Sequence, residues 1–366
     1  MLDPEGTWLG RVWRADIGPA LVTLRGGCLY DITSKLAPTC RDVMEMDDPV
    51  SHVRNAAGDM IGPLTAATEF LAPCDFQAVK AAGVTFAKSM VERVIEERAG
   101  GDPNLAAATR ARVGAAIGDS LADIVPGSAR AENVKAALIA EGLWSQYLEV
   151  GIGPYAEVFT KCQPLAAVGH GAEIGLHPES VWNNPEPEIV LAINSKGRIT
   201  GATIGNDVNL RDFEGRSALL LSKAKDNNAS TAIGPMFRLF DDSYSYADMC
   251  STELTLTVAG ADGYVLNGRS SMAEISRDPS DIVSQTIGAH HQYPDGFVLF
   301  LGTLFAPTED RDVAGEGFTH KPGDVVTIAA DKLGQLRNIV RRSTECPPWE
   351  FGVGAAMRNL AERGLI

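Results

Sequence analysis

Over the first seventy residues, short apolar runs are separated by Gly and Pro, a pattern that predicts strands joined by tight turns. Residues 8–13 and 20–24 read as strands, and Gly26-Gly27 as a hairpin turn. The pattern changes at Phe70-Leu71-Ala72-Pro73-Cys74, and beyond Ala82-Gly83-Val84-Thr85 it becomes helical. Phe86, Met90 and Val94, with Val91 and Ile95, form an i, i+4 apolar stripe. Glu92, Arg93, Glu96, Glu97 and Arg98 populate the other side, and Gly100-Gly101 stops the helix. Ala- and Leu-rich stretches over residues 105–121 and 129–148 extend this into a helical insert covering about residues 100–150.

From Ala156 the pattern returns to strands, predicted over residues 157–161, 186–194, 198–209, 253–259, 297–304, 324–329 and 335–341. Ser195-Lys196-Gly197 reads as a turn, and a last helix lies near residues 350–363. Strands with peripheral helices in irregular order predict an α+β body and argue against regular βαβ winding. No period of 20 to 50 residues repeats, which removes solenoids and propellers.

Composition is that of a globular protein, 45% hydrophobic and 22% charged, long enough for a sizeable core. The 32 basic residues against 47 acidic ones give a net charge of −15, which disfavours nucleic-acid and anionic-membrane partners because both require clustered Lys and Arg. No apolar stretch approaches the roughly 18 residues of a membrane span. The acidic start Met1-Leu2-Asp3-Pro4-Glu5 lacks the order of a signal peptide, so the expected location is the cytoplasm. Six cysteines without a CxxC pair and six histidines without HExxH spacing give no zinc or disulfide signal. GxxxxGK[ST] and GxSxG are missing, and the Gly clusters at residues 169–175 and 352–354 do not make a dinucleotide fingerprint.

The informative chemistry lies in Asn183-Asn184-Pro185-Glu186-Pro187-Glu188, followed after the turn by Gly205-Asn206-Asp207-Val208-Asn209-Leu210-Arg211-Asp212. Residues i and i+2 of a strand share a face, so Glu186 and Glu188 project together, and an antiparallel neighbour brings Asp207 alongside. Two carboxylates about 4 Å apart repel by roughly 4 kcal/mol at an effective dielectric of 20, so three must share protons or hold a cation. Hard oxygen ligands suit Mg²⁺ or Mn²⁺. Pro185 and Pro187 limit laddering and predict a sheet edge.

These residues resemble the fumarylacetoacetate hydrolase superfamily, whose divalent-metal site is a Glu-x-Glu on one strand plus an Asp in an N-D-x-x-x-R-D segment. The resemblance assigns Glu186, Glu188 and Asp207 as metal ligands. It continues through Lys225 and the segment ending Ile233-Gly234-Pro235, through Gly302-Thr303, and through Lys321-Pro322-Gly323-Asp324 and Leu333-Gly334-Gln335-Leu336-Arg337-Asn338. It covers the chain from about Cys74 onward. The implied fold is a mixed β-roll catalytic domain over residues 73–366, carrying the helical insert, behind a small β-rich domain over residues 1–72.

Hydrolytic members carry a His-x-x-Glu pair on the first helix, whereas here Ser89 stands where His would and Glu92 remains. Serine cannot serve as the neutral-pH base that imidazole is. The N-terminal region, the insert and residues 206–235 and 291–307 look most like the superfamily's sugar-acid dehydratases. These convert a 2-keto-3-deoxy-pentonate of the D-xylonate or D-arabinonate type to 2,5-dioxopentanoate. The resemblance thus implies a small sugar-acid substrate, Mg²⁺ or Mn²⁺, and a homodimer or homotetramer. Lys225 is expected to be the proton-transfer group or enolate partner, with its pKa lowered by desolvation near a metal. Glu92 is expected to assist hydroxyl departure with Ser89 as a hydrogen-bond donor, and Thr303 to contact the substrate carboxylate. Arg211 reads as structural, pairing with Asp212 or Asp207. The competing expectations are a hydrolase acting on an acylpyruvate or 2,4-diketo-3-deoxy sugar acid, and a non-catalytic sugar-acid binding protein.

Overall fold

The computed structural model describes residues 2–65, 68–106, 124–140, 142, 144–303, 305, 307–313 and 317–366, apart from the side chains of residues 87–89. The helix expected over residues 105–121 therefore lies, beyond residue 106, outside the described residues. The stretch expected as one helix over 129–148 is two, Ala129–Ala140 and Gln146–Ile152. Ser145 starts the second by accepting from the Tyr147 N–H.

The larger sheet has the spatial order Asp59–Pro63, Cys28–Asp31, Gly18–Arg25, Trp8–Arg14, Thr231–Leu239, Ile199–Asp207, Pro187–Ile193, Phe297–Phe300, Ala78–Gly83 and Glu157–Cys162, with Phe70–Leu71 added beside Trp8–Arg14. Only Phe297–Phe300 and Ala78–Gly83 run parallel in it; the other neighbours are antiparallel. The N-terminal strands thus continue the sheet that carries the Glu-x-Glu strand, through Trp8 opposite Arg238 and Leu9 opposite Phe237. Val168 bridges both Leu71 and Ala232, so the sheet curls and brings the chain just beyond its last strand back to Thr231–Leu239. This is the rolled, mixed α+β architecture expected.

A second sheet runs Val265–Ser271, Glu253–Ala259, Val325–Ala330, Gly334–Arg342 and Glu173–Leu176. Its Leu254, Leu256, Val326 and Ile328 pack with Ile189, Leu191 and Ile193 in one core, while Val190 and Ala192 enter another with Val43, Met44 and Val53. Both faces of Pro187–Ile193 are therefore covered, which is why that run is continuously apolar instead of alternating. The same coverage corrects the predicted edge: the strand has Ile199–Asp207 on one side and Phe297–Phe300 on the other. Pro187 is tolerated because it is the strand's first residue and the ladder with Phe297–Phe300 begins only at Val190.

No described helix is long and apolar enough to cross a membrane. All six cysteines are free.

Candidate active site

The three acidic residues come together by strand register. Pro187 lies opposite Asn206 and Glu188 opposite Gly205, so the start of one strand meets the end of the next. Two hydrogen bonds pin this end: the Asp207 N–H donates to the Glu186 carbonyl at 3.0 Å, and the Glu186 N–H to Asn206 Oδ1 at 3.0 Å. Gly205 is required here, because a Cβ would lie 2.3 Å from Phe300 and 2.5 Å from Val190. One carboxylate oxygen from each of Glu186, Glu188 and Asp207 falls within 4.8 Å of the others, and each residue is 1% exposed. A buried, all-oxygen donor set of this size fits a hard divalent cation.

Cations interleave with these carboxylates unevenly. Arg93 pairs with one Glu186 oxygen, and Lys225 Nζ lies 2.5 Å from the other and 3.2 Å from Asp207 Oδ2. Lys161 Nζ approaches Asp207 Oδ1 at 3.1 Å. Glu188 instead accepts from the Gly302 N–H at 2.7 Å and from Thr303 Oγ1 at 3.3 Å, and among the described residues no cation pairs with it. The electrostatic consequences diverge. Burial would raise the Glu186 carboxyl, but Arg93 and then Lys225 outweigh it and bring it down to about 2. Burial, reinforced by Asp207 and Glu186, pushes Glu188 well above the usual carboxylate range. Lys225 departs from the expected lowering: burial does act downward, but Asp207 and Glu186 outweigh it and raise its pKa. It is an ammonium group, suited to donating a hydrogen bond instead of abstracting a proton.

The acidic cluster opens into a narrow cleft whose further walls include Gly83, Val84, Glu157, Phe159 and Thr303. Glu157 is the titratable group that the sequence reading passed over. Burial, then Glu214, raises its carboxyl to about 7 against the pull of Arg93 and Lys225. Its carboxylate lies over Gly83, opposite it in the ladder, where a Cβ would come within 2.0 Å of Oε2. The available signal was the i, i+2 spacing of Glu157 and Phe159, both of which line the cleft, on a stretch otherwise read only as a strand.

Of the residues expected on the first helix, Ala87–Arg98, Ser89 is helical but its side chain lies outside the described residues. Glu92 is half-buried, contributes to raising the Glu96 carboxyl, and is not among the residues lining the cleft. Arg93 reaches the cleft instead. Its guanidinium gathers Glu96 at 2.6 Å and Glu214 at 3.1 Å besides Glu186. Arg93 and Glu96, expected on the polar side of the helix, are thus buried beneath it. Arg211 is structural as expected but with different partners: it pairs with Glu96 at 3.2 Å and stacks on Trp182, while Asp212 accepts from Ser180 Oγ and the Val181 N–H.

Gly302 gives one prediction. It sits at φ +97°, where L side chains are strained, and a Cβ would meet Thr85 Oγ1 at 2.0 Å. Gly302→Ala is expected to lose about 1–3 kcal/mol of stability and to weaken stabilisation by Mg²⁺, because its N–H orients Glu188. Denaturant titrations with and without Mg²⁺ check this, and unchanged midpoints in both would remove Gly302 from the support of the site.

Residues 153–341, more than half of the chain, match the family model described as "Fumarylacetoacetate (FAA) hydrolase C-terminal". Among curated proteins, "2-dehydro-3-deoxy-D-arabinonate dehydratase" of Saccharolobus solfataricus is 29% identical over 186 residues, covering 51% of this chain and 59% of that protein. "Probable 2-keto-3-deoxyxylonate dehydratase" of Haloferax volcanii is 30% identical over 194 residues, 53% of this chain and 63% of that one. The matched segment thus spans about three fifths of each curated relative. Among solved structures, "2-keto-3-deoxy-D-arabinonate dehydratase complexed with magnesium and 2,5-dioxopentanoate" aligns with a TM-score of 0.64 at 21% identity, over 92% of this chain and 99% of that chain. Its apo form gives 0.65 with the same coverage and identity. "Fumarylacetoacetate hydrolase (EaFAH)" of Exiguobacterium antarcticum gives 0.58 at 17% identity, over 92% and 99% of the two chains. These structural likenesses establish the fold.

Proposed function

The chain belongs to the fumarylacetoacetate hydrolase family, and from that premise we propose that it is a metal-dependent dehydratase turning 2-keto-3-deoxy-D-xylonate or -D-arabinonate into 2,5-dioxopentanoate. The observation that carries this reading is a single cleft holding three buried carboxylates, an ammonium group and a carboxyl that titrates near neutrality. Both curated relatives are named as dehydratases of such acids, and a fold neighbour was solved with magnesium and 2,5-dioxopentanoate; these names support the reading.

Held by Glu186, Glu188 and Asp207, Mg²⁺ (or Mn²⁺) would supply Lewis acidity toward the substrate's carboxylate and 2-oxo group. The chain's own residues do the rest. Glu157, as carboxylate, takes a proton from C3, and the Lys225 ammonium donates a hydrogen bond to the oxygen at C2 on which charge develops. Glu157 then returns the proton to the C4 hydroxyl, which leaves as water, and a C3–C4 double bond remains. Transfer of a proton from C5 to C3 then gives a C4–C5 enol, and movement of its hydroxyl proton to C4 gives the aldehyde, so that one water is lost and no electrons are exchanged with another reactant. Glu157 takes the acid role that the sequence assigned to Glu92, because Glu157 lines the cleft. The Thr303 hydroxyl has one proton, donated here to Glu188, and on substrate binding it donates that proton's hydrogen bond to the substrate carboxylate instead. The proposal includes a homo-oligomer, dimer or tetramer, in the cytoplasm. Six free thiols support a reducing compartment, and the exposed Trp349, Val353 and Met357 on and beside the C-terminal helix support an interface.

Incubation of the purified protein with Mg²⁺ and 2-keto-3-deoxy-D-xylonate or -D-arabinonate tests the reading, with 2,5-dioxopentanoate expected. Pyruvate release from an acylpyruvate, with both sugar acids left intact, would instead establish the hydrolase.

A further inference from the structure

Lys161 has no place in the reaction proposed above, yet it is 0% exposed and its Nζ sits among four oxygens. It donates to the backbone carbonyl of Lys225, to the Ser230 carbonyl at 3.1 Å and to Ser230 Oγ at 3.4 Å, and it pairs with Asp207 Oδ1 at 3.1 Å. Burying a lysine is costly unless its charge is met, and a staple between two carbonyls could be made by a neutral donor. What the charge adds is the pairing with Asp207.

The geometry has a specific asymmetry. Asp207 offers Oδ2 to the Lys225 ammonium and Oδ1 to Lys161, so the two lysines flank one carboxylate. Lys161 also grips the main chain of Lys225 itself, at the end of the short Leu221–Lys225 helix. Ser230 Oγ reinforces that grip, donating to the same Lys225 carbonyl at 2.7 Å. One side chain therefore fixes the root of the Lys225 side chain and the carboxylate that receives its tip. Lys161 stands at the end of the last strand of the curled sheet, so it acts across the seam at which the roll closes.

We propose that Lys161 is a positioning residue for Lys225: by holding the Lys225 carbonyl and Asp207 together it sets where the Lys225 ammonium meets the substrate oxygen. The inference rests on the role given to Lys225 above. Displacing a catalytic group by about 1 Å can cost on the order of 100-fold in rate while leaving substrate affinity in place.

The test is a double-substitution cycle on the full chain with Mg²⁺ and the sugar acid, using Lys161→Met, Lys225→Met and the pair. Mg²⁺ affinity is measured separately by calorimetry. Lys161→Met is expected to lower kcat at least about tenfold, with KM and the Mg²⁺ Kd each within about threefold of wild type. The pair is expected to be no slower than Lys225→Met alone, because a residue that acts only through Lys225 has nothing left to position. Losses that multiply in the pair, a kcat within threefold in Lys161→Met, or a kcat loss matched by lost Mg²⁺ binding would each overturn the inference. Lys161→Gln keeps a donor for the carbonyls without the charge and serves if the Met variant does not fold; failure of both to fold would assign Lys161 to the seam alone. Wild-type kcat in Lys225→Met would instead sink the role of Lys225 and the inference with it, an outcome distinct from multiplicative losses.

Discussion

Glu188→Gln is expected to abolish Mg²⁺-dependent activity while leaving the metal-free fold at least as stable as wild type. The two halves have one cause. Glu188 carries the triad's uncompensated charge: among the described residues Glu186 has Arg93 and Lys225, Asp207 has Lys225 and Lys161, and Glu188 has only two neutral donors, the Gly302 N–H and the Thr303 hydroxyl. Burial, Asp207 and Glu186 already favour its protonated form, so an amide of the same shape removes repulsion without leaving a buried cation unpaired. A divalent ion, however, needs the ionised oxygen, and its affinity is expected to fall at least about 100-fold, or roughly 2.7 kcal/mol. Thermal unfolding reads both effects at once. Mg²⁺ at about 100 times the wild-type Kd should stabilise the wild type by about 2.7 kcal/mol and the variant by well under 1 kcal/mol. Equal metal-induced stabilisation in the two proteins would reject Glu188 as a ligand.

The triad was legible in the sequence because it follows from local rules: i and i+2 on one strand, a short turn at Ser195-Lys196-Gly197, and an antiparallel return that places Asp207 beside Glu186. Its surroundings depend on contacts between distant segments. Lys161 meets Lys225 from 64 residues away, and Arg93 meets Glu186 from 93, only because the sheet curls and the first helix docks on it. Arg93 and Glu96 fall on the charged side of a helix whose stripe marks the opposite face as buried. Periodicity cannot tell a solvated polar face from one buried against carboxylates. Thr231–Leu239 escaped notice for a related reason. All nine of its residues are buried, so it shows no alternation, and Gly234-Pro235 within it reads as a turn. Pro187 suggested an edge because the rule concerns missing donors, and the sequence did not reveal that the neighbouring ladder stops short of it.

Glu157→Gln is expected to lower kcat by about 100-fold to 10,000-fold, the range for loss of a general acid–base group, and to change the shape of the pH profile as well as its height. The sign follows from the direction of the shift. Glu157 is raised from the ordinary carboxylate value of 4.5 to about 7, so below that pH its folded form holds a proton and cannot accept one from C3. Wild-type kcat/KM should therefore fall on the acid side with a limb at about pH 7. A divalent cation nearby shifts that limb lower, never higher, because it favours the carboxylate. The same shift makes a stability statement. Between pH 4.5 and 7 the folded carboxyl binds a proton that the unfolded one has released, so Glu157 works against folding increasingly as pH rises through that window and by a constant amount above it. Glu157→Gln removes both effects: the acid limb disappears from the residual activity, and the variant gains stability relative to wild type above pH 7 while matching it more closely below pH 4.5. Loss of rate with the wild-type limb retained would assign the titration to another group. Full activity would move the proton transfer back to the first helix, where Glu92 lies.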